Sequence, residues 1–400
     1  MTAVIDMVAL FLAFILFALS AFLLAEVVAA FIARPERPPP QVQKRARIGV
    51  VIPAHNERDA VAATVKAVRA ELRDVDRLIV VADNCSDDTA ALAGPAGADA
   101  IERNDASRCG KGYALQFGVD HLRGDPPDVV VFIDADCRPA PGAIEKIAAR
   151  AAYIQRPVQA LYLMNVPDGA KPKASVSAFA WLVMNRVRMS GLQKIAGVTR
   201  LTGSGMALPW RLVSDIDIAS GEIVEDIALT AKFVEAGYPP FLDLDALVTS
   251  RLAASDKGAA TQRARWELGS IHMAARKAPG LFVRGLGGDI KSLALAIDLA
   301  IPPLAVFACY IVAAIAISGL AALLGAHAAI SFAVWSAILY AVAIAIAWTK
   351  FGRDVLPPSR LKAVAAYIGE KARVYGREGR KSAKTWTRTD RADAERDANQ

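Results

Sequence analysis

Two aspartates one residue apart follow the most apolar short run in the middle of this chain. Val129-Val130-Val131-Phe132-Ile133 leads directly into Asp134-Ala135-Asp136. Five consecutive apolar residues predict a buried strand, and alternate residues of an extended chain point the same way. Two carboxylates that face one site need a cation, and their hard oxygens suit Mg²⁺ or Mn²⁺, which usually also bind a substrate's phosphates. The alternative is a solvated turn after a strand.

Two earlier polar loops follow predicted strands in the same way. The run Ile48 to Pro53 precedes Ala54-His55-Asn56-Glu57, and the run Arg77 to Ala82 precedes a loop from Asp83 to Asp88. Helical periodicity from Ala60 to Leu72 separates the two runs. Strand, helix and strand in this order predict an α/β fold with a mostly parallel sheet. Because ligands of such sheets bind at the carboxyl ends of strands, both loops lie where a ligand is expected.

Three further segments carry weaker signals, each with an ordinary structural alternative. Glycines on both sides of Lys111 allow a close backbone approach to a ligand and leave the ammonium free to reach a phosphate, although the spacing is not that of a P-loop. Gly203-Ser204-Gly205 can bring backbone amides towards a hydroxylated acceptor, or it is a plain tight turn. Glu225-Asp226 opens a predicted helix, where acidic residues are common because of the helix dipole. A carboxylate in a cleft can instead act as a general base on a hydroxyl.

A polar and aromatic cluster, Gln262-Arg263-Ala264-Arg265-Trp266, comes late in the charged middle region. Residues three and four apart are neighbours on a helix, so Gln262, Arg265 and Trp266 can share one face. Such a face can hydrogen-bond a sugar or phosphate and stack its indole on a ring. The alternative is a surface helix with a half-buried tryptophan.

Long uncharged runs predict membrane spans at both ends of the 400-residue chain, whose mean hydropathy is +0.32. Met7 to Ala25 has no charge, and only Glu26 interrupts the apolar run up to Ala33. That length crosses a hydrocarbon core of roughly 30 Å. A cleaved signal peptide is the weaker alternative, because no basic residue precedes the run. Leu299 to Thr349 contains no charged residue and predicts two spans that break near Gly325-Ala326-His327.

Basic residues follow both hydrophobic regions. The positive-inside rule therefore puts the middle region and the tail in the cytoplasm. Lys350 to Gln400 carries 13 basic and 7 acidic residues, which favours contact with anionic lipid headgroups and disfavours nucleic acid as a partner. The four cysteines show neither a metal-binding spacing nor a disulfide pattern.

Taken in order, these motifs resemble a membrane-bound, processive-type family 2 glycosyltransferase of the GT-A fold, similar to bacterial cellulose, poly-N-acetylglucosamine and hyaluronan synthases. The resemblance covers about Ile48 to Trp266 and extends to the flanking spans. It implies a UDP-sugar donor of the glucose or N-acetylglucosamine type, a Mg²⁺ or Mn²⁺ cofactor and inversion at the transferred sugar. A short motif, Trp386-Thr387-Arg388-Thr389 with Arg391, resembles a sequence found after the last span in some relatives.

The resemblance also implies a role for each motif. Asp226 would be the catalytic base, with Glu225 beside it, and Asp136 would bind the metal together with Asp134. The nucleotide sugar would be held by Pro53, His55, Glu57, Asp83, Lys111 and Asp134. The acceptor and the diphosphate would be held by Gln262, Arg263, Arg265, Trp266, Gly203, Ser204 and Gly205.

The predicted organisation has six parts. They are a transmembrane helix (1–33), a proline-rich basic linker (34–47), a cytoplasmic GT-A domain (48–275), an interfacial segment (276–298), two transmembrane helices (299–349) and a basic cytoplasmic tail (350–400). We expect a multi-pass protein of the bacterial inner membrane that extends a β-linked exopolysaccharide or a lipid-linked glycan. Other polysaccharide-assembly or export proteins are candidate partners. The alternatives are transfer of a single sugar to a membrane lipid and a catalytically silent scaffold that binds nucleotide sugars.

Overall fold

The computed structural model describes residues 2–32, 45–167, 169–222, 224–252, 256–323, 325 and 327–369, without the side chains of 2–5 and 256–265. The chain divides into two compact units. The sheet unit comprises the described parts of Arg34–Pro167 and Val198–Met273. The apolar-helix unit comprises those of Met1–Ala33, Asp168–Gly197 and Ala274–Ala383. The motif Trp386–Thr389 with Arg391, and most of the predicted linker, lie outside the described residues.

The sheet unit is built on one eight-stranded sheet. Its strands are β1 Ile48–Ala54, β2 Arg77–Asp83, β3 Asp99–Arg103, β4 Val129–Phe132, β5 Arg138–Pro139, β6 Val158–Asn165, β7 Met206–Pro209 and β8 Phe241–Arg251. The spatial order is β3-β2-β1-β4-β7-β6-β8-β5. The first four strands in this order are mutually parallel, as is β6 with β8, whereas β4–β7, β7–β6 and β8–β5 are antiparallel. The prediction of a mixed, mostly parallel sheet is confirmed.

Thirteen α-helices lie in the described residues. In chain order they are α1 Thr2–Ile32, α2 Val61–Arg69, α3 Thr89–Ala93, α4 Lys111–Leu122, α5 Ala143–Ile154, α6 Pro172–Leu182, α7 Met189–Ala196, α8 Trp210–Asp215, α9 Glu225–Glu235, α10 Asp256–Leu286, α11 Ile290–Ala300, α12 Leu304–Leu323 and α13 Ala328–Ala347. Val183–Arg188 and Trp348–Gly352 are π-helical, and Pro358–Arg360 is a 3₁₀ turn.

The central strands of the sheet unit are apolar along their whole length because both of their faces are covered. Val129 to Phe132 of β4 and most of β1 are fully buried. Helix α4 packs closely on this sheet through Gly118, where an added Cβ would lie 2.5 Å from a methyl of Val51. The helix that carries Lys111 at its first position is therefore fixed against β1.

The apolar-helix unit contains three helices that are long and apolar enough to cross a membrane, as predicted: Asp6–Ile32, Leu304–Leu323 and Ala328–Gly352. Helix α12 begins directly after Pro302 and Pro303, and the break between α12 and α13 falls around Gly325, where the sequence predicted it. Helices α1 and α13 meet through small residues, among them Ala13 and Ala333. The Phe332 ring packs edge-on against Phe14 and Phe17.

A buried ionic cluster ties three distant segments of the apolar-helix unit together. Arg188, at the end of the π-helical turn before α7, lies 3.1 Å from a carboxylate oxygen of Glu26 in α1 and 2.7 Å from one of Asp298 in α11. All three side chains are almost fully buried. A carboxylate inside an apolar span is costly unless it is paired. Arg188 therefore explains how the apolar run of α1 tolerates Glu26, and no local sequence pattern indicates this pairing.

The same contact requires a glycine. A Cβ at Gly191 would lie 2.0 Å from the Glu26 carbonyl oxygen, so α7 can approach α1 only because position 191 has no side chain. We expect Gly191→Ala to lower the free energy of unfolding by about 1–3 kcal/mol, the usual cost of overpacking. Gly280→Ala is the matched control, because nothing lies within 4 Å of a Cβ there. Thermal unfolding of the two variants in detergent checks the expectation, and equal melting temperatures would contradict it.

Candidate active site

Asp134 and Asp136 lie where β4 ends, as the sequence predicted. The Asp134 amide donates to the Ser204 hydroxyl (3.0 Å), and the Ser250 hydroxyl donates to a carboxylate oxygen of Asp136 (3.1 Å). Carboxylate oxygens of both aspartates and the Cys137 sulfur lie within 4.8 Å of one another. The strand end therefore presents two hard oxygen ligands side by side.

The Lys111 ammonium lies at the centre of the acidic cluster. Its Nζ is 2.5 Å from Asp134 Oδ1 and 3.4 Å from Glu225 Oε1, and it donates to the Gly203 carbonyl oxygen at 2.8 Å. The two nearest carboxylates keep the Lys111 pKa above its ordinary value despite burial, so the ammonium stays charged. Lys111 is the first residue of α4. Three other segments supply the groups around its ammonium: the end of β4, the loop at Gly203 and the start of α9.

Glu225 and Asp226 occupy the first turn of α9. A Cβ on Gly203 would lie 3.8 Å from both Asp226 Oδ2 and Glu225 Oε1. Gly203 has a φ of +82°, which side-chain-bearing residues rarely adopt, so glycine is needed there for its backbone conformation. The glycine-rich turn is therefore part of the acidic site.

Two acids of this site, Asp226 and Asp134, have pKa values above those of ordinary aspartates. Burial, reinforced by Glu225, raises the pKa of Asp226 to about 7. Burial also raises the pKa of Asp134 to about 6, with Lys111 opposing the shift and Asp136 adding to it. A carboxyl that titrates near neutral pH is suited to accepting a proton from a hydroxyl.

A divalent metal fits the residues at the end of β4. Asp134 and Asp136 offer the oxygen ligands that Mg²⁺ and Mn²⁺ prefer. Cys137 is a poor third ligand, because burial raises the pKa of its thiol well above the ordinary value. Its Sγ is 3.6 Å from the Tyr162 hydroxyl and 3.7 Å from Asp136 Oδ1. Two carboxylates would leave other coordination positions of the ion for a diphosphate.

The loops after β1 and β2 form a second corner at the same edge of the sheet. His55 Nδ1 lies 2.7 Å from the Asp83 carbonyl oxygen. The Asp83 carboxylate is buried, and its Oδ1 accepts from Arg103 Nη1 (2.6 Å) and Asn84 Nδ2 (3.1 Å). Burial raises the pKa of Asp83, and Arg103 opposes that shift. Because β1 separates β2 from β4, the two corners lie about 10 Å apart, the width of two strand spacings.

The remaining predicted nucleotide residues of this corner, Pro53 and Glu57, lie in β1 and in the loop that follows it. Pro53 is the penultimate residue of β1. The Glu57 amide donates to Thr89 Oγ1 (2.9 Å), and its carbonyl oxygen accepts from the amides of Ala60 and Val61 at the start of α2. Gly205 has a φ of +72°, and its amide donates to the Phe132 carbonyl oxygen (2.9 Å), which aligns the turn with β4.

The predicted acceptor cluster is helical, as its spacing indicated. Gln262, Arg263, Arg265 and Trp266 all lie on α10, and Trp266 is half-buried. The other three side chains lie outside the described residues. Their contact with the acidic site stays a prediction.

Three residues of the site were missed from the sequence. Arg103 is the last residue of β3, the strand next to β2. Its position at the end of a third strand is the signal that could have indicated a role in the site. Gln159 is fully buried and holds the glycine-rich turn, accepting from the Thr202 amide (2.9 Å) and donating to the Ser204 carbonyl oxygen (2.8 Å). Buried Arg200 lowers the Asp226 pKa against the effect of burial. No local pattern marks Gln159 or Arg200.

Comparison with known proteins gives one family match. Residues 49–196 match the family described as Glycosyl transferase family 2. The chain is also 35% identical over 92 residues to the Low-salt glycan biosynthesis hexosyltransferase Agl6 of Haloferax volcanii, a match that covers 22% of this chain and 21% of that protein. The chain therefore aligns with about a fifth of the length of that relative.

Solved structures give the fold. Mannosyltransferase PcManGT from Pyrobaculum calidifontis, in complex with GDP-Man and Mn²⁺, is 18% identical, with a TM-score of 0.54 over 86% of this chain and 99% of that one. Glucosyl-3-phosphoglycerate synthase from Mycobacterium tuberculosis, with Mn²⁺, UDP-Glc and phosphoglyceric acid, is 23% identical, with a TM-score of 0.40 over 58% and 82% of the two chains. The sheet topology and the PcManGT similarity show a GT-A fold. The similarity to glycosyltransferase family 2 covers residues 49–196 of this fold.

The raised Asp226 pKa predicts how stability depends on pH. A carboxyl whose pKa is higher in the folded than in the unfolded state stabilises the fold below about pH 4, and this stabilisation is lost as the pH rises through about 7. In the presence of EDTA, we expect Asp226→Asn to raise the free energy of unfolding by up to about 4 kcal/mol at pH 8 and to have little effect at pH 4. Asp74→Asn, at an exposed carboxylate, is the control. A pH-independent difference between Asp226→Asn and the wild type would contradict the assignment.

Proposed function

We propose that this protein is a membrane-bound inverting glycosyltransferase that moves a sugar from a UDP-sugar to a hydroxyl of a glycan or lipid-linked acceptor. The observation that carries the proposal is the convergence of Asp134, Asp226 and Lys111 in one cluster, with Asp136 beside them. The family 2 match and the similarity to a hexosyltransferase support it.

The residues divide the chemistry between them. The Asp226 carboxylate takes the proton of the acceptor hydroxyl, which attacks the anomeric carbon as the bond to the diphosphate breaks. Glu225 holds Lys111 and raises the Asp226 pKa. Asp134 and Asp136 would hold Mg²⁺ or Mn²⁺, which neutralises the charge that develops on the leaving diphosphate. A single displacement of this kind inverts the configuration at the sugar and needs no covalent intermediate.

The hydrogen bonds around Asp83 favour uracil as the base of the bound nucleotide. Arg103 and Asn84 both donate to Asp83 Oδ1, so they use both acceptor positions of that oxygen. Only Oδ2 is left for a ligand. Uracil offers one imide N–H and needs one oxygen, whereas guanine offers a fork of two donors that fits both oxygens of a carboxylate. Cytosine carries a lone pair in place of the imide hydrogen and is repelled.

The acceptor is expected to be held at a membrane. Three helices of the chain are long and apolar enough to cross one, and basic residues follow the first and the last of them. The positive-inside rule then favours a cytoplasmic catalytic unit at the inner membrane of a bacterium. The cluster Gln262, Arg263, Arg265 and Trp266 would bind the acceptor end and the diphosphate.

Membranes supplied with donor distinguish a polymerase, which gives a ladder of products, from a single-sugar transferase, which gives one shifted lipid.

We expect Asp226→Asn to lower turnover by at least about 100-fold, since general base catalysis contributes roughly 10²–10⁴. UDP release from purified full-length protein with a panel of UDP-sugars and Mn²⁺ measures it. UDP affinity should change little, because the base acts on the acceptor. Asp245→Asn, at an exposed carboxylate of β8, is the control. Undiminished turnover in Asp226→Asn would remove the base. UDP binding by the wild type without transfer from any donor would favour the silent scaffold.

The base preference has its own test. We expect UDP to bind at least about tenfold more tightly than GDP or CDP, because one hydrogen bond to a carboxylate is worth roughly 1.5–3 kcal/mol. Asn84→Gly removes the side-chain amide that donates to Asp83 Oδ1. Glycine tolerates the φ of +50° found at this position. The UDP-over-GDP preference should narrow in this variant, while CDP stays weak. Calorimetric titration of the three nucleotides checks both points, and tighter binding of GDP by the wild type would refute the uridine assignment.

A further inference from the structure

The ammonium of Lys111 occupies a place where a cation is required. It lies 2.5 Å from Asp134, one of the two aspartates that would hold the metal, and contacts Glu225 and the Gly203 carbonyl oxygen as well. One ammonium faces three carboxylates here, since Asp226 also acts on it, and Asp136 adds a fourth negative charge through Asp134. Lys111 therefore neutralises only part of the charge in this cluster.

The backbone of Lys111 is held by close contacts, whereas its side chain is only partly buried. Gly110, with a φ of +141°, ends the preceding loop, and a Cβ on Gly112 would lie 2.6 Å from both the amide nitrogen and the carbonyl oxygen of Ser220. These contacts hold the start of α4. The side chain beyond it is a flexible four-carbon stem with about a fifth of its surface exposed. The ammonium can thus move while the helix stays in place.

We propose that Lys111 is a mobile counter-ion that binds Asp134 in the donor-free protein and moves to the diphosphate when the donor binds, which releases Asp134 to the divalent metal ion. This inference rests on the proposed function, since it concerns the same donor site. Before the donor arrives, the ammonium and the metal compete for one carboxylate. Afterwards the phosphate oxygens offer the ammonium a new partner, and the competition ends.

The exchange has a thermodynamic consequence. If the nucleotide draws Lys111 away from Asp134, the metal binds more tightly to the nucleotide-bound protein, and the nucleotide binds more tightly to the metal-bound protein by the same factor. Part of this coupling arises from direct contact between metal and diphosphate. The part due to Lys111 is the part that disappears when the ammonium is removed.

The test measures two affinities separately in the full-length protein. Mn²⁺ is titrated without nucleotide and followed by electron paramagnetic resonance, and UDP is titrated in EDTA and followed by calorimetry. For Lys111→Met we expect Mn²⁺ to bind about tenfold more tightly and UDP about tenfold more weakly, the scale of one charged hydrogen bond. Lys232→Met removes the same charge from an exposed lysine on α9 that donates to the Asp217 carbonyl oxygen, and should leave both affinities unchanged.

A second variant keeps the lysine and guards against misfolding of the first. Glu225→Gln removes one carboxylate that holds the ammonium, so UDP in EDTA should bind a few-fold more tightly than to the wild type. Unchanged Mn²⁺ affinity in Lys111→Met would show that Lys111 does not compete for Asp134. Unchanged UDP affinity in EDTA would show that the ammonium never reaches the diphosphate. Either result overturns the proposal while wild-type UDP binding leaves the proposed function intact. A wild type that binds no UDP even with Mn²⁺ refutes both.

Discussion

The concentration of negative charge at the end of β4 is the constraint on which the candidate site depends. Asp134 lies at the end of β4, whereas Glu225 and Asp226 open α9, and the three carboxylates can share one site only because Lys111 lies among them. Burial, together with negative charge that one ammonium does not balance, raises the pKa of Asp134 to about 6 and that of Asp226 to about 7. The site is therefore electrostatically incomplete in the protein alone. A divalent ion held by Asp134 and Asp136 would supply the missing positive charge.

The glycines around the cluster serve this arrangement through backbone geometry. Gly203 places its carbonyl oxygen on the Lys111 ammonium and leaves room beside Asp226. Gly112 lets the start of α4 reach the backbone at Ser220. Their positions in the sequence predict close contact with a ligand or, at Gly203, a plain tight turn. In the structure these glycines make close contacts within the chain, and these contacts position the acids and the lysine of the site.

Much of the fold followed from local sequence, because buried strands of a parallel sheet are apolar over their whole length and their polar residues collect at one end. That pattern placed Asp83 and Asp134 at one edge of the sheet, and uncharged length alone predicted the three apolar helices. The contacts made by Arg103, Gln159 and Arg188 could not be predicted in this way. Each side chain pairs with groups distant in sequence, and its own neighbours carry no pattern that names the partner.

The two aspartates with raised pKa values differ in what they can do, and the difference comes from their neighbours. The Asp134 carboxylate contacts the Lys111 ammonium and lies beside Asp136 at the candidate metal site. A carboxylate that faces cations suits the role of a ligand and not that of a base. Asp226 stands in the first turn of α9, and its Oδ1 accepts from the Ile227 amide (2.8 Å). The N-terminus of the helix favours its ionised form, whereas burial and Glu225 favour its protonated form. These opposed effects leave Asp226 close to half ionised near neutral pH, so it can accept a proton from a hydroxyl and later release it to solvent.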